Sequence, residues 1–328
     1  MRTVRAGASL RRCLSTGQAE ATLASVADRR VGWVGTGIMG ASMCKHLLQQ
    51  GAKEVRVFNR TAAKAQPLQE EAEARGSQLT LCSTPAEVAK DSDVVFTIVG
   101  FPKDVRSIYL EGGGILEGAR GAPGKVLVDM TTSQPSLAVQ IATAAEADGH
   151  RAVDAPVSGG DIGARNGTLT FMIGGNAEAV QELEPYWKAM GSKWERMGEA
   201  GRGQHTKCVN QILIASGMLG LVEGLLYAEK AGLNKEKIIE LLGGGAAGSW
   251  SLANYGPRIV KGDFQPGFCV EHFRKDLGIA LEEAAAMDLH YLPGLSAADQ
   301  LYRVLCSQDG ARLGTQALYL CYKKINAF

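Results

Sequence analysis

Three glycines with the spacing G-x-G-x-x-G follow directly on a short apolar run, Val31–Val34, and constrain the fold more than any other feature. The six residues of this turn are Gly35, Thr36, Gly37, Ile38, Met39 and Gly40. The first glycine suits a tight turn, the second a close backbone approach to a diphosphate, and the third close helix–strand packing. The free amides at the helix N-terminus would then bind the diphosphate. We predict a dinucleotide-binding unit, with an ordinary βα turn as the alternative.

Short apolar runs alternate with helix-like stretches over the first two thirds of the chain. The predicted strands are Val31–Val34, Val55–Phe58, Asp93–Val99, Lys125–Met130, Arg151–Pro156 and Thr168–Ile173. The predicted helices are Ala41–Gln50, Ala62–Arg75, Pro85–Lys90 and Pro135–Asp148, with surface loops at Gly112–Gly114 and Gly118–Gly124. Alternating βαβ units predict an α/β fold, a Rossmann-like doubly wound parallel sheet with helices on both faces.

The composition changes after about Gly203. Residues 208–228 are nearly all apolar, but Glu223 would lie in lipid if they spanned a membrane, so we expect no membrane partner. A helix that is apolar on every side is typical of one buried between domains or subunits. We predict a dinucleotide-binding domain at 30–200, then an interdomain helix and an all-α substrate and oligomerisation domain at 201–328.

Charge and cysteine usage exclude several classes of protein. Lys+Arg 35 against Asp+Glu 34 leaves a net charge of +1, so we expect no nucleic-acid partner. The 7 Cys form no CxxC pair and the 5 His form no HxxxH pair, which predicts neither a metal site nor a disulfide framework. The absence of GxSxG and GxxxxGK(S/T) motifs argues against serine hydrolases and P-loop nucleotidases.

The N-terminal segment is rich in arginine and poor in acid. Arg2, Arg5, Arg11 and Arg12 lie in a stretch that has no carboxylate before Glu20. This composition is typical of a mitochondrial or plastid transit peptide, with an untethered tail in a cytosolic protein as the alternative. We therefore exclude residues 1–29 from the fold and expect a mitochondrial protein.

The second predicted strand ends in Asn59, Arg60 and Thr61, where an NAD site usually has an acidic residue for the ribose hydroxyls. A guanidinium beside two short hydrogen-bonding side chains suits a 2′-phosphate. We therefore favour NADP(H) over NAD(H), with a solvated Arg60 as the alternative.

Ser158, Gly159 and Gly160 come at the end of a late strand. A serine followed by two glycines exposes a hydroxyl and successive amides, which together can bind an anion such as a substrate carboxylate. The alternative is an ordinary glycine-rich loop.

Lys207 lies near the start of the long apolar helix, and Asn210 and Gln211 project from the same face. Burial favours the neutral amine and can prepare it for proton transfer. The alternative is a lysine whose charge reaches solvent.

A second polar cluster comprises Phe268, Lys275 and Asp276, for which a surface Lys–Asp pair is the alternative.

These motifs together resemble the β-hydroxyacid dehydrogenase family, in its 3-hydroxyisobutyrate dehydrogenase-like branch of plant-mitochondrial and bacterial type. The resemblance runs from about Val31 to Ala327. Its motifs are GTGIMGASM, VFTIVGFPKDV, DMTTSQPS, DAPVSGGDIGARNGTLT, GRGQHTKCVNQI, GGAAGSWSL, HFRKDLGIALEEA and LGTQAL.

The resemblance implies a role for each matched residue. Lys207 matches the catalytic acid/base, and Ser158, Gly159 and Gly160 match the substrate-carboxylate site. Further matches are Thr132 near nicotinamide and substrate, Val99 and Lys275 at the cofactor, and Phe268 and Asp276 at active-site positions. Gln211 stands where many members have asparagine, which leaves the amide contact to substrate open between Asn210 and Gln211.

The resemblance also implies the reaction. We expect oxidation of 3-hydroxyisobutyrate to methylmalonate semialdehyde, a step of valine catabolism, by a homodimer or homotetramer. One alternative is NADPH-dependent reduction of glyoxylate or succinic semialdehyde. A remote alternative is a non-catalytic dinucleotide-binding protein on the same fold.

Overall fold

The structure is a computed structural model and describes residues 25–327, within which nine strands form one sheet. The strands are β1 (Val31–Val34), β2 (Glu54–Phe58), β3 (Gln78–Leu81), β4 (Val94–Thr97), β5 (Val126–Asp129), β6 (Arg151–Asp154), β7 (Val157–Ser158), β8 (Leu169–Gly175) and β9 (Gly191–Gly198). The helices before the long apolar segment are α1 (Ile38–Gln49), α2 (Gln66–Ala74), α3 (Pro85–Lys90), α4 (Pro102–Leu110), α5 (Ile115–Ala119), α6 (Pro135–Ala147), α7 (Gly160–Asn166), α8 (Ala177–Glu182) and α9 (Glu184–Met190). Those after it are α10 (Arg202–Lys230), α11 (Lys235–Gly243), α12 (Trp250–Val260), α13 (Val270–Ala286), α14 (Pro293–Ser307) and α15 (Leu318–Ile325).

The first six strands confirm the predicted doubly wound α/β fold. They lie in the order β3-β2-β1-β4-β5-β6 and are all parallel. Strands β1, β4 and β5 are buried along their whole length, as expected where helices cover both faces. One apolar cluster contains side chains of α1, α2 and α9, and another contains side chains of α3 to α6. The carboxyl ends of these strands therefore form one edge, where such sheets bind ligands.

The sheet departs from the prediction beyond β6, because β8 runs antiparallel to β6 and β7. Strands β6 and β7 share one register against β8, in which Val153 pairs with Gly175 and Ser158 with Thr170. The connection at 159–168 contains only the short helix α7. A parallel crossover needs a dozen or more residues, so the chain turns back instead. The predicted parallel sheet is therefore mixed at this edge, where β9 then pairs parallel to β8.

Two predicted elements have different bounds. The predicted helix Ala62–Arg75 begins as a 3₁₀ turn, and α2 starts only at Gln66 because Pro67 favours a helix start. The predicted loop Gly118–Gly124 overlaps the end of α5. A Cβ at Gly118 would lie 2.1 Å from the Ala86 carbonyl oxygen, so this glycine allows α5 to pack directly on α3.

The folded part begins before residue 30. Val26 is buried in the core, and the Arg29 guanidinium pairs with the Glu182 carboxylate. The prediction that residues 1–29 lie outside the fold is therefore wrong for the last five of them. The arginine-rich stretch itself lies outside the described residues, and the domain division at 200/201 stays a prediction.

Helix α10 has 29 residues, is about 43 Å long, and leads from the sheet into the helical part of the chain. By length and a mean hydropathy of 1.5 over 18 residues, it is the one helix of the described range that could cross a membrane. Ala215, Met218 and Val222 on one side join a core shared with α13 and α14. The opposite side is solvent-exposed within one chain, so the predicted burial is confirmed for one face and stays a prediction for the other.

Candidate active site

The glycine turn has the geometry that its spacing predicts. Gly35 has a φ of +101°, a conformation that favours glycine. A Cβ at Gly40 would lie 2.2 Å from the Gly35 carbonyl oxygen, so the third glycine allows α1 to pack against the turn. A Cβ at Gly37 would meet nothing within 4 Å, which leaves open space at the first turn of α1.

The start of α1 fits a bound diphosphate. Gly37 is the N-cap, and no side chain of the described residues bonds the first amides of α1. The hydroxyl of Thr36 is buried without a partner in the described part of the chain. Free helix-start amides beside an open glycine suit an anionic group with several acceptor oxygens. These residues therefore fit the dinucleotide that the motif predicts.

Val99 lies beside this turn. Its Cγ1 would be 3.1 Å from a Cβ at Gly35, and its amide donates to the Thr131 hydroxyl at 3.0 Å. The predicted cofactor residue is thus at the carboxyl edge of the sheet, directly after β4.

Asn59 connects the end of β2 to the glycine turn. Its Oδ1 accepts from the Thr36 amide at 2.9 Å, and its Nδ2 donates to the Thr61 carbonyl at 2.8 Å. Asn59 therefore braces the glycine turn, and its contact with the cofactor stays a prediction. Arg60, by contrast, is 90% exposed and lies 4.0 Å from Asp104, so its guanidinium is the group open to a ligand.

Lys207 is buried, which contradicts the alternative that its charge reaches solvent. The residue is 7% exposed, and its Nζ donates to the Val157 carbonyl at 2.9 Å. Desolvation is the main reason that the pKa of Lys207 falls from its usual value near 10.5 to about 8. Asp276 opposes this shift and Lys275 adds to it. An amine with this pKa exchanges a proton readily near neutral pH.

The predicted anion site adjoins Lys207. Ser158 follows Val157 at the end of β7, and Gly159 and Gly160 have φ values of +130° and +62°. Two such glycines turn the chain sharply and can present successive amides to an anion. Lys207 Nζ bonds the carbonyl of Val157, the residue directly before Ser158, so the acid/base group lies next to the anion site.

Asp276 is buried and Lys275 is largely buried beside it, so the alternative of a surface ion pair is wrong. Lys275 Nζ lies 2.9 Å from Asp276 Oδ1 and also donates to the Thr132 carbonyl at 2.6 Å. Asp276 is 2% exposed. The pair thus ties α13 to the segment after β5, and brings the predicted residues Thr132, Lys275 and Asp276 into one contact.

The two amides that follow Lys207 have different surroundings. Gln211 is buried, with its Nε2 donating to Asp276 Oδ2 and its Oε1 accepting from Asn210 Nδ2, both at 2.6 Å. Asn210 is half-buried. Gln211 therefore holds Asp276, and Asn210 is the more exposed of the two amides.

The segment that contains Phe268 lies beside the anion site, and Gly267 makes the contact. The carbonyl oxygen of Gly267 would lie 3.7 Å from a Cβ at Gly160, so this segment runs beside the anion site. The Phe268 ring itself packs edge-on against Phe273 at 5.9 Å, in the helical core.

Residues without a predicted role complete the site. Gln204, fully buried on α10, and Asp154, at the end of β6, both bond the segments described above. Phe101 stacks on His272 at 5.4 Å and joins the β4–α4 loop to α13. The sequence signal that could have indicated Gln204 is its position three residues before Lys207, on the same helix face.

Residues 25–327 contain no group of three His, Cys, Asp or Glu side chains that could hold a metal ion.

Comparison with known proteins assigns the family. Residues 30–198 match the family model of the NAD-binding domain of 6-phosphogluconate dehydrogenase. Residues 201–322 match that of the NAD-binding domain of NADP-dependent 3-hydroxyisobutyrate dehydrogenase.

Individual relatives agree with this match. A mitochondrial 3-hydroxyisobutyrate dehydrogenase-like protein of Arabidopsis thaliana is 50% identical over 97% of this chain and 92% of its own. The 2-hydroxy-3-oxopropionate reductase of Escherichia coli is 32% identical over 88% of this chain and 95% of its own. The structure of Mycobacterium tuberculosis 3-hydroxyisobutyrate dehydrogenase with L-serine has a TM-score of 0.80 and 29% identity, covering 90% of this chain and 99% of that one.

Fold, cleft and relatives define an NAD(P)-dependent oxidoreductase that acts on the CH–OH group of hydroxy acids. The chain belongs to the β-hydroxyacid dehydrogenase family, in its 3-hydroxyisobutyrate dehydrogenase-like branch. The sequence-based prediction of the family is thus confirmed.

The glycine turn yields a paired test of cofactor binding. We expect Gly37→Ala to keep the wild-type Tm, because its Cβ meets open space, and to raise the Kd for NAD(P)H by about tenfold or more. We expect Gly40→Ala to lower the free energy of unfolding by ~1–3 kcal/mol through overpacking against Gly35. Thermal melts and fluorescence titration measure both effects. Wild-type affinity in Gly37→Ala would contradict binding at this turn.

Proposed function

We propose that the protein oxidises 3-hydroxyisobutyrate to methylmalonate semialdehyde, a step of valine catabolism, with Lys207 as the acid/base. The observation that carries this proposal is the buried Lys207 ammonium beside Ser158 and its two glycines, where desolvation lowers the pKa of the lysine to about 8. A small carboxylate with a neighbouring hydroxyl group is a ligand that both parts of this arrangement can bind at once. The Arabidopsis relative named for this activity supports the choice of substrate.

The chain contributes binding and orientation to this reaction. Ser158 and the amides at Gly159 and Gly160 hold the substrate carboxylate, and Asn210 donates from the helix side. The glycine turn and Val99 would hold the cofactor, and Lys275 fixes the Thr132 segment through the Thr132 carbonyl. A nicotinamide held there would supply the hydride-accepting chemistry for the hydroxyl-bearing carbon.

Lys207 moves the proton. In oxidation its neutral amine accepts the proton of the substrate hydroxyl, and in reduction its ammonium returns a proton to the carbonyl oxygen. A lysine at its reference pKa of ~10.4 would be charged in nearly every molecule at neutral pH and could not act as a base. Burial removes that obstacle, because it favours the neutral form.

The ionisation of Lys207 predicts opposite pH profiles for the two directions. For oxidation, we expect kcat/KM to rise with pH and to level off above about 8, because the neutral amine is the active form. For reduction, we expect kcat/KM to fall above about 8, because the ammonium is then the active form. Initial rates from pH 6 to 10 measure both limbs.

Substitution of two buried lysines separates the loss of proton transfer from the loss of a buried amine. We expect Lys207→Met to lower kcat by about 10²- to 10⁴-fold, the usual worth of general acid/base catalysis, with little change in the Kd for cofactor. Lys125 is a matched control, since it is also buried and its Nζ donates to the carbonyls of Lys90 and Ser92. Lys125→Met should lower Tm and leave kcat per folded molecule unchanged. Near-wild-type kcat in Lys207→Met would contradict the mechanism.

A second candidate function is NADPH-dependent reduction of glyoxylate or succinic semialdehyde. The observation that favours it is the exposed Arg60 guanidinium at the end of β2, in a place where NAD sites usually have an acid. For the same reason we propose that the cofactor is NADP(H) rather than NAD(H).

Arg60 tests the cofactor proposal directly. We expect Arg60→Ala to raise the KM for NADP(H) by about tenfold or more, through loss of a charge-assisted phosphate contact, and to leave the KM for NAD(H) nearly unchanged. The ratio of kcat/KM for the two cofactors measures this effect. An unchanged ratio would contradict the proposed 2′-phosphate contact.

We propose a mitochondrial location. The Arabidopsis relative is named as a mitochondrial protein, and the arginine-rich, acid-free start of this chain is typical of a transit peptide. Import of the labelled full chain into isolated mitochondria, with protection from added protease, tests this proposal. A chain that stays accessible to protease would contradict it.

We also propose that the partner on the exposed side of α10 is a second copy of the chain, in a homodimer or homotetramer. Leu213 and Tyr227 are 70% and 76% exposed there, and Gly217, Gly220 and Gly224 between them leave open space for close helix packing. Light scattering on the purified protein tests this proposal, which a monomeric mass would contradict.

A further inference from the structure

The amide of Gln204 is fully enclosed at the start of α10, and both of its ends are used. The residue is 0% exposed. Its Nε2 donates to the Thr131 carbonyl at 2.7 Å, and its Oε1 accepts from the Ser133 amide at 2.9 Å. Gln204 thus bonds the backbone on either side of Thr132, as a neighbouring strand would.

The segment that Gln204 holds lies beyond the end of β5, where sheet pairing has stopped. The Thr131 amide donates to the Asp129 carboxylate, and the Thr131 hydroxyl accepts from the Val99 amide. The Thr132 carbonyl accepts from Lys275 Nζ. The last two lead to the cofactor turn and to α13. A shift of this segment would therefore move the groups on both sides of the proposed hydride path.

Gln204 is itself fixed to the sheet. Its backbone amide donates to Asp154 Oδ2 at 2.8 Å, and the Gly201 amide donates to Asp154 Oδ1 at 2.8 Å. Asp154 therefore caps the first turn of α10. Lys207 follows Gln204 by three residues on the same side of the helix. One rigid turn thus carries both the contact to the Thr132 segment and the acid/base.

We propose that Gln204 is a positioning residue, which fixes the Thr132 segment relative to Lys207 and so aligns hydride and proton transfer. This proposal rests on the proposed function. Gln204 acts through the backbone of residues 131–133, to which both ends of its side-chain amide are bonded. Because misplacement by about 1 Å costs on the order of 10²-fold in rate, a buried amide at this point controls turnover without touching the reacting atoms.

The test compares Gln204→Met with Gln316→Met. Methionine keeps the volume of glutamine and removes both hydrogen bonds. Gln316 is a matched control, because it is also 0% exposed and its Nε2 bonds two backbone carbonyls, those of Asp263 and Gln265 at 3.1 Å. The measurements are kcat, the Kd for cofactor, the deuterium isotope effect on hydride transfer, and amide exchange in the 131–134 peptide.

For Gln204→Met we expect faster exchange at 131–134, a kcat lower by about 10- to 100-fold, and a Kd for cofactor within about threefold of wild type. The isotope effect should rise, because hydride transfer becomes more rate-limiting. Gln316→Met should keep the wild-type kcat and isotope effect. If Gln204→Met fails to fold, Gln204→Glu replaces it: the carboxylate keeps the bond from Ser133 but cannot donate to Thr131, and we expect the same changes with a smaller loss of kcat.

Faster exchange at 131–134 with an unchanged kcat and isotope effect would overturn the positioning role. So would a lower kcat without faster exchange. A wild-type chain that turns over no hydroxy acid or semialdehyde would instead contradict the proposed function, and the positioning role in that reaction with it.

Discussion

The first turn of α10 rests directly on the carboxyl edge of the sheet, and every part of the site depends on this contact. A Cβ at Gly203 would lie 2.5 Å from the carbonyl oxygens of both Asp154 and Met172, and a Cβ at Gly174 would lie 2.6 Å from Asp154 Oδ1. Two glycines thus allow the helix to approach the strands until the Asp154 carboxylate can bond its first amides. Without that approach Lys207 would lie further from β7 and would be open to water.

The distribution of charge in the cleft follows from the same contact. Lys207, Lys275 and Asp276 place two positive charges near one negative charge in a region from which water is excluded. Asp276 forms an ion pair with Lys275 and accepts a hydrogen bond from Gln211, whereas Lys207 donates to a neutral carbonyl. Burial therefore lowers the pKa of Lys207 to about 8 against the attraction of Asp276, while Lys275 serves as a fixed tie between α13 and the sheet.

Local patterns in the sequence predicted the glycine turn, the fully buried strands and the face of α10 that carries Lys207, because each depends on a few adjacent residues. Strands β3 and β9 contain too many polar residues to form an apolar run, and the reversal of β8 depends on the length of its connection. The bonds of Gln204 join residues 71 and 73 positions apart, and the burial of the Lys275–Asp276 pair depends on packing of α13 against the sheet. Contacts of this kind leave no periodic trace in a single sequence.

The proposed substrate and cofactor are tested most directly by kcat/KM for 3-hydroxyisobutyrate oxidation, measured beside kcat/KM for reduction of glyoxylate and of succinic semialdehyde, each with NAD(H) and with NADP(H). We expect the highest value for 3-hydroxyisobutyrate and a preference for NADP(H). Dominant aldehyde reduction with NADPH would contradict the proposed substrate and would make the protein a semialdehyde reductase. Absence of turnover with every pair would contradict the assignment of Lys207 as a working acid/base.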